Sequence, residues 1–495
     1  MRENTRQRQL AALDAILESV QQPAAMKAAL KAAPQVGAGV DTGAETGTGL
    51  RKPPPQPPFE NLYAPRDYLS FLLYIDAEIE HALMDQYLYA AWSLGGPQVP
   101  PDKVAMVRGW QEVILGIAKE EMGHLVTIQN VLRLIGAPLN LARDDYPWDV
   151  PFYPFPFVLE PLTLDSLAKY VYAESPAHWT GPWANEIRAR VHVATPTPHR
   201  VGELFQLMLM LVQDEELIPD SVFRASTYQY QADWDEWGRG YQNGARGNFG
   251  HANMPNTPNV LVMPVQSRTD VITALTDISE QGEAPRSDDP SEPSHFTRFL
   301  NIYKEMKACA DEGWSPSRNI AVNPTVDLPA QSGGSGATTG TPITNQEARL
   351  WARLHNLRYR MLLTYLAHSF TLADGLVTSG SHAPRGSIIN ATFGEMYNLR
   401  AITAILQTLP VSRDSDVLAG PPLQMPYTLQ LPTGEPDKWQ LHDDLIEASR
   451  RLADTLMPMV APGRRDYLNT LKSTDRGIQE IGRRILASSV NLALA

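Results

Sequence analysis

Cysteine is almost absent from this chain, which contains one, Cys309, in 495 residues. A single cysteine excludes a disulfide within the chain, and it excludes a zinc or iron–sulfur site built only from the thiolates of one chain. Oxygen and nitrogen side chains are therefore the ligands left for any bound metal. These ligands suit a hard, redox-active ion.

Basic clusters and long apolar runs are also scarce. The formal net charge is −13, and there is no lysine- or arginine-rich stripe of the kind that follows phosphates, so we expect no nucleic-acid partner. The longest apolar run, 204–212, is too short to cross a bilayer, and the first residues lack the apolar core of a signal peptide. We therefore expect no membrane association and a cytoplasmic location.

Two polar stretches divide the chain. Residues 34–58 are rich in Gly, Thr and Pro, which is typical of a tether, and 327–344 contain a Gly/Ser/Thr-rich break. The sequence predicts an N-terminal helix and tether over 1–60, a first helical domain over 61–325, a linker over 326–345 and a C-terminal helical domain over 346–495. One core with a helical annex is the alternative to two domains.

Helical periodicity is strongest in two adjoining segments, 67–94 and 103–135, each of which stops at glycine. Because their connection is short, we expect an antiparallel pair. Two more bundle helices are predicted over 201–217 and 269–282. They are joined by an irregular crossover, about 220–267, which is long enough to form a binding wall. The predicted fold class is mainly α, a four-helix bundle with a long irregular crossover and a C-terminal helical domain.

Three side chains in the middle of the first helix pair have the chemistry of metal ligands. Glu80 lies on an apolar stripe, and Glu121 and His124 share one face of the second helix. A buried carboxylate is costly unless it is paired or bound to a cation, and this spacing is how di-iron sites are built in four-helix bundles. Each residue alone also fits a solvated helix edge, but the three together favour a metal site. Tyr87 fits the helix core, yet it is close enough to line the pocket and is the candidate catalytic side chain.

Further carboxylates and an imidazole are weaker candidates. Glu203 begins the third helix, where the helix dipole favours a glutamate without any metal. Glu280 and Glu283 end the fourth helix. His295 follows Ser294, and that pair also fits the capped start of another helix. If the third and fourth helices are antiparallel, these carboxylates meet at one end of the bundle.

Five ordered landmarks surround these residues. They are Ile79-Glu80-His81-Ala82 with the following 87–94, Glu121-Met122-Gly123-His124-Leu125, Val201-Gly202-Glu203-Leu204-Phe205, Gln281-Gly282-Glu283 and Ser294-His295-Phe296. In this order they resemble the ferritin-like iminophenyl-pyruvate dimer synthase family, which includes the chromopyrrolate synthases. The segments 358–363, 394–400 and 419–432 are similar to its downstream region, so the resemblance covers roughly 65–455.

The resemblance implies a non-haem iron site, of one or two ions, in a ferritin-like domain. Its implied ligands are Glu80, Glu121, His124, Glu203, Glu283 and His295, with Glu280 as the alternative to Glu283. It also implies an enzyme of secondary metabolism that oxidatively couples imines derived from aromatic α-keto acids, which a separate flavin amino-acid oxidase supplies. We further expect that the chain can form a homo-oligomer.

Two other functions fit the same residues. The first is an iron-handling, ferroxidase-like protein, although a storage bundle needs neither the long crossover nor the C-terminal region. The second is a metal-free ferritin-like scaffold that serves a partner through its N-terminal helix and tether.

Overall fold

The computed structural model of the chain describes Leu10, Leu13, Leu17 and residues 63–150, 153–176, 179–191, 201–237, 258–283, 293–327, 340–373 and 384–493. Within these ranges the protein is built almost entirely from α-helices, which confirms the predicted fold class. In the same ranges, none of the helices combines the length and the apolar character that a bilayer-spanning segment needs. Nearly all of the predicted N-terminal helix and tether lies outside the described residues.

The helices are joined by turns, longer irregular segments and a few 3₁₀ segments. The first eight are α1 (Pro65–Ser93), α2 (Val104–Leu134), α3 (Leu164–Ala173), α4 (Pro182–Val191), α5 (Val201–Gln213), α6 (Trp234–Trp237), α7 (Arg268–Glu283) and α8 (His295–Ala308). They are followed by α9 (Gln346–Ser369), α10 (Pro384–Leu406), α11 (Glu435–Leu456) and α12 (Pro462–Ala493). Between α8 and α9, β1 (Pro324–Thr325) pairs in parallel with β2 (Thr341–Pro342), with Pro324 opposite Thr341.

Helices α1, α2, α5 and α7 form the predicted four-helix bundle. Helix α1 packs against α2, α5 packs against α1 and α7, and α7 also contacts α2. The chain turns between α1 and α2 at Gly95 and Gly96, whose φ values of 89° and 114° favour glycine. Near the start of α2, Gln111 donates a hydrogen bond of 2.8 Å to the carbonyl oxygen of Ala91, near the end of α1. The two helices are therefore antiparallel, as predicted.

Helix α1 is buried on nearly every face because the C-terminal helices cover the side that the bundle leaves open. Asp85 of α1 accepts hydrogen bonds from the Tyr359 hydroxyl of α9 and from Arg143, each at 2.7 Å. The apolar core around the bundle also includes Leu366 and Phe370 of the α9 segment. Separate apolar clusters lie among the C-terminal helices. The two-domain organisation, its boundaries and the one-core alternative all stay predictions.

The described part of the long crossover forms a wall along α2. Asn130 donates to the carbonyl oxygens of Ala232 and Met263, and Thr127 donates to that of Leu261 at 2.6 Å. Gly123 allows the close approach, since a Cβ atom at this position would lie 2.9 Å from the backbone nitrogen of Leu261. The strand-like stretch 258–265 is thus fixed over the middle of α2.

Candidate metal centre

Glu80, Glu121 and His124 meet inside the bundle, as the sequence predicts. The Nδ1 atom of His124 lies 2.8 Å from Oε2 of Glu121 and 3.3 Å from Oε2 of Glu80. Each of the three residues is only 2% exposed. Their ligand atoms are close enough together for one metal ion to bind all three side chains.

A second group shares Glu121 and adds Glu174 and His295. The Nδ1 atom of His295 lies 3.0 Å from Oε1 of Glu121 and 3.8 Å from Oε2 of Glu174. His295 occupies the first position of α8, where Ser294 caps the helix by accepting a hydrogen bond from the backbone N–H of Thr297. The capped helix start and the approach of His295 to the cluster therefore occur together. Glu121 directs one carboxylate oxygen to each imidazole.

His124 is oriented by a side chain on α7. Its Nε2 atom lies 2.7 Å from Oε1 of Gln281, and the amide nitrogen of Gln281 donates to the carbonyl oxygen of Asn259 at 2.9 Å. Because that amide oxygen can only accept, we infer that Nε2 of His124 carries the hydrogen. Burial opposes the charged form of His124, but Glu80 and Glu121 outweigh it and raise the pKa of His124 well above its ordinary value, so Nδ1 of the metal-free ring carries a hydrogen as well. A metal ion would replace the hydrogen on Nδ1 and bind the lone pair that faces Glu80 and Glu121.

His295 is braced by a buried ion pair. Its Nε2 atom lies 3.1 Å from Oε2 of Glu120, which also pairs with Arg298 one turn further along α8. Burial opposes ionisation of Glu120, but the charges of Arg298 and His295 outweigh it and lower the pKa of Glu120 to about 2. A charged carboxylate behind a ligating imidazole fixes the ring and increases its basicity.

The site contains more acidic than basic side chains. Burial, followed by the charge of Glu121, raises the pKa of Glu80 well above its ordinary value and that of Glu174 to about 7. Asp76 lies one turn before Glu80, is fully buried and has no hydrogen-bond partner within the described residues, and burial raises its pKa as well. Burial would also raise the pKa of Glu121, but the two imidazoles hold it below the ordinary range. A cation would compensate this excess of buried carboxylates, so the donor set fits a metal.

A small cavity of about 20 Å³ lies between the two groups. Its walls combine the carboxylates and imidazoles with apolar side chains such as Leu83, Phe205 and Ile278. This volume has room for an ion or a water molecule, but not for an aromatic substrate.

The remaining candidates lie around this centre. Tyr87 is fully buried and donates a hydrogen bond of 2.5 Å to Oε1 of Glu174. Glu203 is buried in the first turn of α5 and Glu280 is half-buried on α7, and neither belongs to the two groups within the described residues. Glu283 ends α7, and its side chain lies outside the description. The roles assigned to these four residues stay predictions.

Sequence reasoning missed several residues at this centre. Glu174 directly follows the end of α3, a position that the helix dipole disfavours for an acid, and this could have marked it. Asp76 shares a helix face with Glu80, so its spacing was a second available signal. The approach of Glu120 on α2 to His295 and Arg298 on α8 depends on tertiary packing and has no periodic signature.

Comparisons relate parts of this chain to known proteins. Residues 74–304 match the family model described as ferritin-like. The chain is 27% identical over 384 residues to the dichlorochromopyrrolate synthase of Lentzea aerocolonigenes, covering 70% of this chain and 35% of that protein. The matched part is thus about a third of the relative's length. A crystal structure of a ferritin-like protein from Caulobacter vibrioides aligns at 19% identity with a TM-score of 0.42, over 71% of this chain and 99% of that chain.

Proposed function

We propose that the two groups around Glu121 hold non-haem iron, in a chain whose residues 74–304 match a ferritin-like family model and which is similar to a dichlorochromopyrrolate synthase. The observation that carries the proposal is the division of the Glu121 carboxylate, with Oε2 beside His124 and Oε1 beside His295. A carboxylate shared between two ions requires this arrangement, and di-iron bundles use it.

Glu80, Glu121 and His124 would hold one ion, and Glu121, Glu174 and His295 the other. Glu203, Glu280 and Glu283 remain candidates for further ligand positions. Bound iron would supply one-electron redox chemistry at coordination positions that the protein leaves open.

The surrounding residues prepare the ligands. Gln281 holds the hydrogen on Nε2 of His124, which leaves Nδ1 as the atom that would bind iron, and Glu120 holds His295 through Nε2. The Tyr87 hydroxyl donates to one oxygen of Glu174 and leaves the other oxygen on the side of His295. In this position Tyr87 orients a ligand, while its predicted catalytic role would require a further contact with substrate.

The reaction that we propose is the oxidative coupling of two imines of aromatic α-keto acids, delivered by a separate flavin amino-acid oxidase. Joining the two molecules removes two electrons and two protons, which dioxygen or peroxide accepts. Because the cavity between the ligands is only about 20 Å³, the aromatic bodies would lie outside it, against the wall formed by residues 258–265. The relative's description as a synthase supports an enzymatic role.

The test is a coupled assay with the full chain, purified with iron. The protein is incubated with a flavin amino-acid oxidase, tryptophan or phenylalanine, and oxygen, and dimeric products are measured by mass spectrometry. We expect a dimer with the unchanged protein and with Glu112→Gln, an exposed control on α2, and none with His124→Gln.

Two results would contradict the proposal. Iron that binds but never gives a substrate-dependent product would favour the iron-handling function. Iron content near zero after expression with added iron would favour the scaffold.

A further inference from the structure

A cavity of about 410 Å³ lies where the last turn of α1, the first turns of α2 and the connection between them meet α10. Trp92, which lines it, is twelve residues beyond Glu80, a separation of roughly 18 Å at ~1.5 Å per helical residue. The cavity is thus separate from the candidate metal centre. Its volume falls within the range of about 300–1,000 Å³ that is usual for small-molecule sites.

Three arginines line this cavity, Arg108, Arg318 and Arg400, and among the residues that the structure describes no aspartate or glutamate does. Within the described ranges, neither Arg108 nor Arg400 has a carboxylate at ion-pair distance. Arg318 is held in place by the carbonyl oxygen of Leu94, to which it donates at 2.5 Å, and burial lowers its pKa. In a chain with a net charge of −13, three arginines without an acid favour an anionic ligand.

Part of the cavity wall is apolar. It is formed by Trp92, Val99, Val104 and Val107, and Trp92 adds an aromatic side chain to it. An inorganic anion would leave this wall facing water. A ligand that fills the cavity therefore needs an apolar body as well as a negative charge.

Two buried polar groups on the α10 side of the cavity lack partners. Thr403 is 1% exposed and Gln407 is 7% exposed, and neither Oγ1 of Thr403 nor Nε2 of Gln407 has a hydrogen-bond partner in the described structure. Since buried polar atoms are normally paired, these two point to polar atoms of a ligand. Gln407 supplies an amide N–H donor and Thr403 supplies a hydroxyl group, in addition to the arginines.

We propose that this cavity binds a small aromatic carboxylate. A guanidinium group and a carboxylate pair through two parallel hydrogen bonds, while the indole and the valines would cover the aromatic ring. The site is separate from the metal centre and does not depend on iron.

The test is calorimetric titration of the full chain with phenylacetate and, as the uncharged match, phenylacetamide. We expect phenylacetate to bind at least about tenfold more tightly, because a charge-assisted hydrogen bond is roughly twice as strong as a neutral one. We expect the double variant Arg108→Gln/Arg400→Gln to reduce phenylacetate affinity by about tenfold or more. Since both side chains are exposed, the affinity should also fall as salt is raised.

Two control variants test whether the ligand binds in this cavity. Arg413→Gln removes an exposed arginine that does not line the cavity, and phenylacetate should bind it as tightly as the unchanged protein. Glu121→Gln alters the candidate metal centre and should also leave phenylacetate binding unchanged.

Four outcomes would overturn the proposal. Equal binding of the amide would show a merely apolar cavity, and equal binding of inorganic phosphate would show a general anion site. Binding that survives the double arginine variant but is lost in Glu121→Gln would place the carboxylate at the metal centre, which leaves the proposed function intact. The absence of phenylacetate binding would remove the site altogether.

Discussion

Replacing Glu121 by glutamine should abolish the stabilisation that iron gives to this protein. The side chain lies 2.8 Å from His124 and 3.0 Å from His295 through its two oxygens, so each ion would lose a charged ligand in one substitution. At a free ferrous concentration of about 100 times the dissociation constant, each bound ion adds roughly 2.7 kcal/mol to the free energy of unfolding. Two ions would therefore add about 5 kcal/mol to the unchanged protein and close to none to Glu121→Gln.

The assay is urea unfolding with and without ferrous iron under anaerobic conditions. Comparing each variant with its own metal-free form removes the effect of the substitution on the metal-free protein. His124→Gln and His295→Gln should each retain about half of the iron-dependent increase, since each affects one group. Glu112→Gln, an exposed change on the same helix, should retain all of it.

The shared role of Glu121 would be contradicted if Glu121→Gln kept the same iron-dependent increase in the free energy of unfolding as either single histidine variant. That result would mean that Glu121 serves one ion, or that the iron lies elsewhere. Equal loss in all three variants would point to a single ion that needs both imidazoles.

Three further predictions concern the surroundings of the site. Gln281→Leu removes the acceptor that orients His124 at 2.7 Å and should weaken ferrous binding about 10- to 100-fold in a chelator competition, whereas Gln281→Glu should restore most of it. Gly123→Ala would place a methyl group 2.9 Å from the backbone of Leu261. This substitution should lower the free energy of unfolding by about 1–3 kcal/mol. An unchanged melting temperature would contradict the close approach of the two segments. The pKa of Glu174 is raised to about 7, so this carboxyl group must lose a proton when a metal binds. The affinity for ferrous iron should therefore increase as the pH rises from about 6 to 8. The number of protons released on binding should fall over the same range. A flat pH profile would exclude Glu174 from the ligand set.

The bundle and its first ligand group could be predicted because their signals are local. The pair α1 and α2 is continuous at helical spacing and ends at glycines with positive φ, and Glu121 and His124 are one turn apart on one face. A charged face in the middle of an apolar helix has few explanations besides a partner of opposite charge. Glu80 needed only the antiparallel arrangement that a short turn imposes.

The second ligand group could be predicted only in part. His295 was only a weaker candidate, because its local sequence equally describes a helix start, which it also is. Glu174 reaches Glu121 through the packing of α3 against α8, and no periodicity in either segment encodes that contact. The contact of Glu120 with His295 depends on the packing of α2 against α8.

The covering of α1 by the C-terminal helices was equally hidden from the sequence. Asp85 looks like an ordinary acid one turn after His81, yet it is buried and bonded to Arg143 and Tyr359. Breaking a buried pair of this kind typically costs about 3–5 kcal/mol. The C-terminal helices therefore help to hold the helix that carries Glu80, and they supply the α10 wall of the arginine-lined cavity.

The most direct test of the metal centre is a crystal structure of the iron-loaded protein with anomalous diffraction recorded at the iron absorption edge. We expect two adjacent anomalous peaks bridged by the carboxylate of Glu121, one coordinated by His124 and Glu80 and the other by His295 and Glu174. Peaks outside the bundle, or an iron-loaded crystal without a peak beside Glu121, would contradict this arrangement.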